Sequence, residues 1–381
     1  MPVNPPDRAA WVEIDVAKLR KNLQLIRADI PAKVKYLAVL KDDAYGHDAV
    51  TVGQLALQAG AWGLAVSTVD EAWKLRSSGL LPDACKIVLF YERHPSEIEF
   101  CAEHGITICS GDLNNIAKLN QSAEKIGRQI PVHIEIQTGM SRYGVRWDEA
   151  MPLISQVALM ANIQIEGTMT HFAKSYASDK TFAMLQLERF ESVLGGMESA
   201  GISPGIVSAC NSGGHLNLPH AQYDMVRSGI LYTGVTPFGC RKIEGIRQVM
   251  SVKAKIAAIQ KVKRGETVGY GMNYTATSER RVAVLPMGYG DGMPRLCNKG
   301  HVLIHGQKAP TLGGNSMDSM MVDVTGIPEA KTGDEAAIMG GQGTDRIGVH
   351  ELAKLKDSVT YDVFTNFGIR LKKKFVNGDK I

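Results

Sequence analysis

Long hydrophobic runs are missing from this chain. No stretch approaches about 18 consecutive apolar residues, so no membrane-crossing helix and no membrane partner are expected. The N-terminal MPVNPPDRAAWVEID lacks the apolar core of a secretion signal. A cytoplasmic location is the expectation, with a periplasmic one open if a signal has been removed. Paired cysteines are missing as well. Cys85, Cys101, Cys109, Cys210, Cys240 and Cys297 are scattered without a CxxC spacing, which excludes a zinc pattern and a dense disulfide framework. They read as small buried hydrophobes kept reduced, and no metal is expected. Nor is charge of one sign in excess. The 43 Lys+Arg and 39 Asp+Glu leave +4, which gives no reason to expect a nucleic-acid partner. With 44% hydrophobic and 22% charged residues, disorder, collagen repeats and a coiled coil are excluded as the dominant character. A small-molecule enzyme is the default.

What the chain does have is alternation. Its 381 residues suggest two domains, at roughly 100–200 residues each. A helix is expected over Asp15 to Ile30, capped by Asp15, with Leu19, Leu23, Ile26 and Ile30 along one face. The run from Val34 to Lys41 is almost wholly apolar, as a strand buried on both faces of a parallel sheet requires. Further strand candidates follow at Trp62–Val66, Lys86–Tyr91, Ile106–Cys109, Val132–Gln137, Ile163–Thr170, Ile206–Cys210 and Asp224–Arg227. Helical patterns separate most of them. One opens on a capping-box spacing, Thr68 to Glu71, and ends near Gly79; another carries Leu187, Phe190, Leu194 and Met197 on one stripe. Eight such units predict an α/β fold built on a parallel (β/α)8 barrel. An open dinucleotide-binding sheet competes, but no GxGxxG follows the first strand.

Past Pro237 the texture changes to short strands broken by glycine: KIAAIQKVKRG, RVAVLPMGYGDG, GHVLIHG, MMVDVTG and DEAAIMGG. A mainly antiparallel β domain is expected there. The division drawn is a barrel over 12–240 and a β domain over 241–381, with residues 1–11 packing on the latter. The closing Arg370, Lys372, Lys373 and Lys374 read as a solvated basic tail.

In such barrels chemistry sits where the strands end at their C-terminal side. Lys41 closes the first apolar run, Glu135 and Arg142 belong to the fifth strand and its loop, and His171 follows the sixth. Asn211 and Ser212 follow the seventh; Arg227, Ser228 and Gly229 end the eighth. A lysine ending a buried strand either snorkels to solvent or does chemistry in the barrel mouth, where its amine forms a Schiff base with an aldehyde cofactor. Ser212 and the amides of Gly229 and Ile230 suit a phosphate, which the loops after strands seven and eight commonly bind.

Together these residues resemble a known family. AVLKDDAYGH, residues 38–47, looks like the cofactor-lysine motif of the alanine racemases, pyridoxal-phosphate (PLP) enzymes of fold type III. The likeness continues in order through TGMSRYG, EGTMTHFA, ACNSGG, DMVRSGILYTG, TVGYGMNY, PMGYGDGMPR, NSMDSMMVDV and VTYDVF, over almost the whole chain. The resemblance implies that Lys41 carries the cofactor, with Asn211 among its ligands. It implies that Tyr45, Ser212, Gly229, Ile230 and Tyr361 hold its phosphate, that His171 lies near its ring, and that Arg227 faces the ring nitrogen. Arg142 would serve the phenolic oxygen and the substrate carboxylate.

Racemisation takes a base on each face of the substrate carbon. By the same resemblance these are Lys41 and a Tyr270 reaching over from a second subunit of a homodimer, with a relay through His171 to Arg227. Tyr289 and Met317 would line the mouth and bind the substrate, with Arg295 and Asp318 supporting them from behind. The implied reaction converts L-alanine to D-alanine for peptidoglycan. Broader racemases of lysine, arginine or serine remain open, as does, less favoured, a decarboxylase or lyase of the same fold. The sequence departs from the family where Glu135 replaces a carbamate-bearing lysine, Gln137 an aspartate, Ser228 a proline, and the closing lysines another ending.

Overall fold

The computed structural model describes residues 7–91 and 94–378; of the stretch expected to pack on the β domain, residues 1–6 lie outside that range. Two compact units emerge. Among the described residues, one gathers 7–19, 45–48 and 247–378, the other 20–44, 49–91 and 94–246.

The second unit is a nearly closed barrel of eight parallel strands: β1 (Lys35–Val39), β2 (Gly63–Val66), β3 (Lys86–Leu89), β4 (Thr107–Ser110), β5 (Ile130–Gln137), β6 (Ile163–Thr170), β7 (Ile206–Ser208) and β8 (Met225–Ser228). From β1 to β7 each strand pairs with the next in sequence, and β8 pairs back on β1 through Val226 opposite Tyr36. Between β7 and β8 the seam is bridged by Asp224 N–H to the Val207 carbonyl at 3.1 Å and Arg227 N–H to the Cys210 carbonyl at 2.9 Å. All eight expected strands are present. Four positions of KYLAV in β1 are buried, because an inner face meets the barrel core while the outer face meets helices. Leu37, Val39, Ala65, Val88, Phe90, Cys109, Met169 and Met225 form that core.

The expected cap also forms. Thr68 accepts from the Glu71 amide and the Glu71 side chain returns to the Thr68 amide, opening the helix Val69–Arg76. The helix Thr181–Ser199 buries Leu187, Phe190 and Met197, with Val193 rather than Leu194 completing the stripe.

The other unit is mostly antiparallel. Its larger sheet runs Gln307–Pro310, His301–Ile304, Glu335–Gln342, Met250–Lys255, Ala10–Asp15, Lys372–Val376. A three-stranded sheet joins Ala258–Val262, Arg280–Leu285 and Met320–Asp323. Two helices not anticipated from the sequence, Val349–Lys356 and Thr360–Phe367, complete it. The closing lysines are not a solvated tail. Lys372–Val376 is an edge strand parallel to Ala10–Asp15, with Lys374 Nζ 4.4 Å from the Trp11 ring centroid and Lys372 paired with Asp7 at 2.6 Å. Lysines suit an edge strand because their charge discourages pairing with another sheet, so the same composition that reads as a tail serves as a border.

Candidate functional site

The first site residue stands on unusual backbone. β1 ends at Val39, and from Asp42 to Tyr45 four residues in succession have φ between 52° and 55°, a left-handed helical turn. For L-residues that conformation costs roughly 1–2 kcal/mol each, and it persists only where the surroundings over-determine it. Here they do. The Glu71 carboxylate accepts from the Asp42 amide, while the Asp43 carboxylate accepts from the Ala49 amide at 3.0 Å and pairs with Lys74 at 2.7 Å. Gly46 closes the turn at φ +77°, and a Cβ there would stand 2.5 Å from the Phe364 carbonyl oxygen.

Lys41 itself donates to the Tyr91 hydroxyl at 3.3 Å. The Arg142 guanidinium lies 4.8 Å from the centroid of the same Tyr91 ring, which also stacks on Tyr143 at 4.7 Å. Tyr91 thus stands between the amine and the guanidinium. It ends the third apolar run, where the strand-end rule that found the other residues could have found it too.

His171 faces two donors. Arg227 Nη2 approaches Nδ1 at 3.4 Å and Asn211 Nδ2 approaches Nε2 at 3.3 Å. A protonated imidazole has no acceptor to offer either. Burial, together with the positive charges of Arg227, Arg142 and Lys41, holds the His171 pKa well below the usual histidine range, so geometry and electrostatics both keep the ring neutral. Arg227 is only 3% exposed and is fixed by the Thr170 carbonyl at 2.7 Å and Ser208 Oγ at 2.5 Å. Its burial pulls its proton affinity down, with Cys109 and Glu135 among the groups opposing.

Glu135, 4% exposed, lines a small cavity with Thr138, Met140, Arg142, Tyr143 and His171. Gly144, at φ +92°, lets the Arg142 loop approach it, since a Cβ there would lie 2.5 Å from the Glu135 carbonyl oxygen. At the opposite side of the barrel mouth Ser212 Oγ accepts from the Gly229 amide at 3.1 Å and meets Ser228 Oγ at 3.3 Å, with Ile230 next in chain. Asn211 caps the short helix that Ser212 opens by accepting from the Gly214 amide at 3.0 Å. That helix is anchored by His215, whose Nε2 lies 3.0 Å from Asp29; this contact, with Arg241 beside it, holds the Asp29 carboxyl far below the ordinary carboxylate range. Lys41, Arg142, Glu135, His171, Asn211, Ser212, Arg227, Gly229 and Ile230 thus all sit at one end of one barrel.

The remaining candidates belong to the β unit. Tyr45 is buried and meets the Tyr361 ring edge-to-face at 5.8 Å. Tyr289 and Met317 are brought side by side, the Tyr289 amide donating to the Ser316 carbonyl at 3.0 Å and the Gly290 amide to the Met317 carbonyl at 2.9 Å. Tyr270 tips the hairpin between Thr267–Val268 and Tyr274–Thr275, bridges to Gly314, and is 78% exposed. Asp318 pairs with Arg370 at 2.8 Å, while Arg295 lines a pocket with Tyr289, Pro294 and Asn366. Among the described residues no group of three or more His, Cys, Asp or Glu is arranged for a metal, and no helix is long and apolar enough to cross a membrane.

Two family models match this chain, "Alanine racemase, N-terminal domain" over residues 14–237 and "Alanine racemase, C-terminal domain" over residues 249–375. The alanine racemase of Halothermothrix orenii is 34% identical over 373 residues, 97% of each chain. Among solved structures, alanine racemase from Clostridium difficile 630 superposes with a TM-score of 0.91 at 29% identity, covering 98% of this chain and 97% of that one. Alanine racemase from Bartonella henselae, solved with covalently bound pyridoxal phosphate, gives a TM-score of 0.86 at 28% identity and covers 98% of this chain and 100% of that one. With its strand-end lysine, buried arginine and neutral histidine on a barrel followed by this β unit, the chain belongs to the alanine racemase family.

Proposed function

We propose that this protein racemises alanine with pyridoxal phosphate, as a homodimer in which the barrel (12–240) binds the cofactor and the β domain (241–381) completes the neighbouring subunit's site. The observation that carries the reading is Lys41 at the end of β1, held in one barrel mouth with a buried Arg227 and a neutral His171.

The donor set fits that cofactor. Ser212 with the amides of Gly229 and Ile230 offers donors for a phosphate, joined in our assignment by Tyr45 and Tyr361; His171, with Asn211 behind it, offers a flat uncharged ring to lie against another ring. When bound, pyridoxal phosphate supplies an aldehyde carbon for Lys41 and a ring that draws electron density from the substrate's Cα.

Everything else is done by the chain. Arg227, assigned to the ring nitrogen, keeps its proton because a guanidinium gives it up far less readily than an acid does, and its three other contacts fix it in place. That favours brief proton exchange at Cα over decarboxylation. Arg142, held over the Tyr91 ring, presents its fork to the substrate carboxylate, and buried Glu135 supplies negative charge in the same cavity without a carbamate. Lys41 takes or returns the Cα proton on one face; Tyr270 of the partner subunit serves the other, with Tyr289 and Met317 narrowing the mouth and Arg295 and Asp318 behind them. Neutral His171 accepts from Arg227 at Nδ1, which ties the imidazole to the fixed guanidinium.

Alanine is favoured over lysine, arginine or serine because the relatives named above are alanine racemases and because Tyr289 and Met317, assigned to the mouth, suit a small side chain. The test incubates the protein with pyridoxal phosphate and a panel of L-amino acids and measures each D-enantiomer. D-alanine is expected to form fastest. A protein that binds pyridoxal phosphate yet yields no D-amino acid overturns the reading.

A further inference from the structure

Lys41 has to point its amine the same way each time it reacts, yet it stands where a strand breaks into a left-handed turn. The residues on either side of it are tied down through their amides. Upstream, the Leu40 amide donates to the Ala65 carbonyl of β2 at 2.7 Å. Downstream, the Asp42 amide donates to Glu71 Oε1.

Glu71 does more than return its side chain to the helix cap. Its second oxygen accepts from the Ser67 amide at 2.9 Å, from Ser67 Oγ at 3.2 Å and from the Thr68 amide at 3.2 Å. An ordinary capping box satisfies the cap residue's own amide and stops there. Here one carboxylate ties the loop after β2 to the loop after β1, and every group it touches is a donor. Only a group that accepts at both oxygens can satisfy them all, which suits a carboxylate and excludes a carboxamide. Both ends of this link are charge-assisted bonds to backbone, the stronger kind. The Asp43–Lys74 pair from the next turn of the same helix grips the turn again, but it is exposed and contributes little.

We propose that Glu71 is a positioning residue for Lys41: it holds the Asp42 amide so that the left-handed turn keeps the amine in its reacting position. This rests on the assignment of Lys41 as the reacting amine.

Glu71→Gln and Glu71→Ala isolate the clamp, and Thr68→Ala isolates the cap, since it removes the hydroxyl that accepts from Glu71 N–H at 3.2 Å and leaves the Glu71–Asp42 link. Three quantities are read on the intact protein: hydrogen exchange of the amides of residues 41–46, the visible band on titration with pyridoxal phosphate, and kcat and KM for L-alanine. Both Glu71 variants are expected to speed exchange in that segment about tenfold and to lower kcat about tenfold with KM within about twofold, the pattern of a displaced reacting group. Thr68→Ala is expected to lower the melting temperature while leaving exchange at 41–46 and kcat unchanged. Unaltered exchange in the Glu71 variants overturns the proposal, and so does a Thr68→Ala that loses kcat as they do. If the native protein neither binds pyridoxal phosphate nor racemises alanine, the functional reading falls instead, and the exchange experiment still decides whether Glu71 holds the turn.

Discussion

The site residues of the barrel and those of the β unit are built in opposite ways. In the barrel, Arg227 and Glu135 are almost wholly buried, and His171, Asn211 and Ser212 are engaged by neighbouring side chains within the same unit. In the β unit, Tyr270, Tyr289 and Met317 are 78%, 40% and 53% exposed, and what is fixed about them is backbone. A buried polar group must find partners in its own fold, because leaving one unpaired costs about 1–3 kcal/mol. An exposed loop residue has no such debt. The barrel therefore carries a finished arrangement of charges, whereas the β unit presents side chains that its own fold leaves exposed. That contrast is what the shared site proposed above calls for.

The sharpest way to break the contrast is at the barrel. Lys41→Ala is expected to abolish the visible band of bound pyridoxal phosphate and to lower kcat by on the order of a thousandfold or more, with the fold intact by circular dichroism. An unchanged spectrum in that variant would remove the cofactor assignment.

Arg227→Met comes next. It strips donors from the Thr170 carbonyl and Ser208 Oγ, so a loss of about 1–3 kcal/mol in denaturant unfolding is expected. It also removes a cation that holds His171 down, so the His171 titration, followed by ring proton NMR, is expected to move upward.

Tyr270→Phe probes the other side. At 78% exposure the hydroxyl supports no packing, and stability is expected to stay within about 0.5 kcal/mol. Proton removal from one enantiomer is expected to fall far more than from the other, read by isotope exchange at Cα in each direction; equal losses contradict the two-base assignment.

The smallest effect is in acid. Against the opposing pull of burial, hydrogen bonds from His133 and Lys86 lower the Glu166 pKa to about 2 from an ordinary 4.5. The unfolded chain then takes up a proton that the folded chain refuses, so this part of the stability is lost as pH falls from about 4.5 to about 2. Glu166→Gln is expected to flatten unfolding against pH in that window. The neutral His171 acts in the same sense below about 6.5.

Much of the barrel was legible because its signal is local. A strand buried on both faces is a run of apolar residues, and a reactive residue at the strand end is a break in that run, as Lys41 and Arg227 show. Tyr91 was passed over because an aromatic at the end of an apolar run looks like one more core residue. The left-handed turn at Asp42–Tyr45 left no mark, since none of those four residues is glycine and each prefers the right-handed region. Glu71 could be read as half of a capping box; its grip on Asp42 could not, because the partner lies 29 residues away in sequence. The closing lysines misled for a similar reason, their strand partner being Ala10–Asp15 near the other end of the chain.

Periodicity and the order of motifs, which reside in neighbouring residues, were enough to establish eight β-α units, a β domain after them and the family. Left to the three-dimensional arrangement were the left-handed turn beneath Lys41, the carboxylate that holds it, the neutral state of His171 and the edge strand at the end of the chain. Each of those depends on groups far apart in sequence meeting at hydrogen-bond distance, and the free energy of such meetings is set by burial and partners that no local stretch of sequence contains.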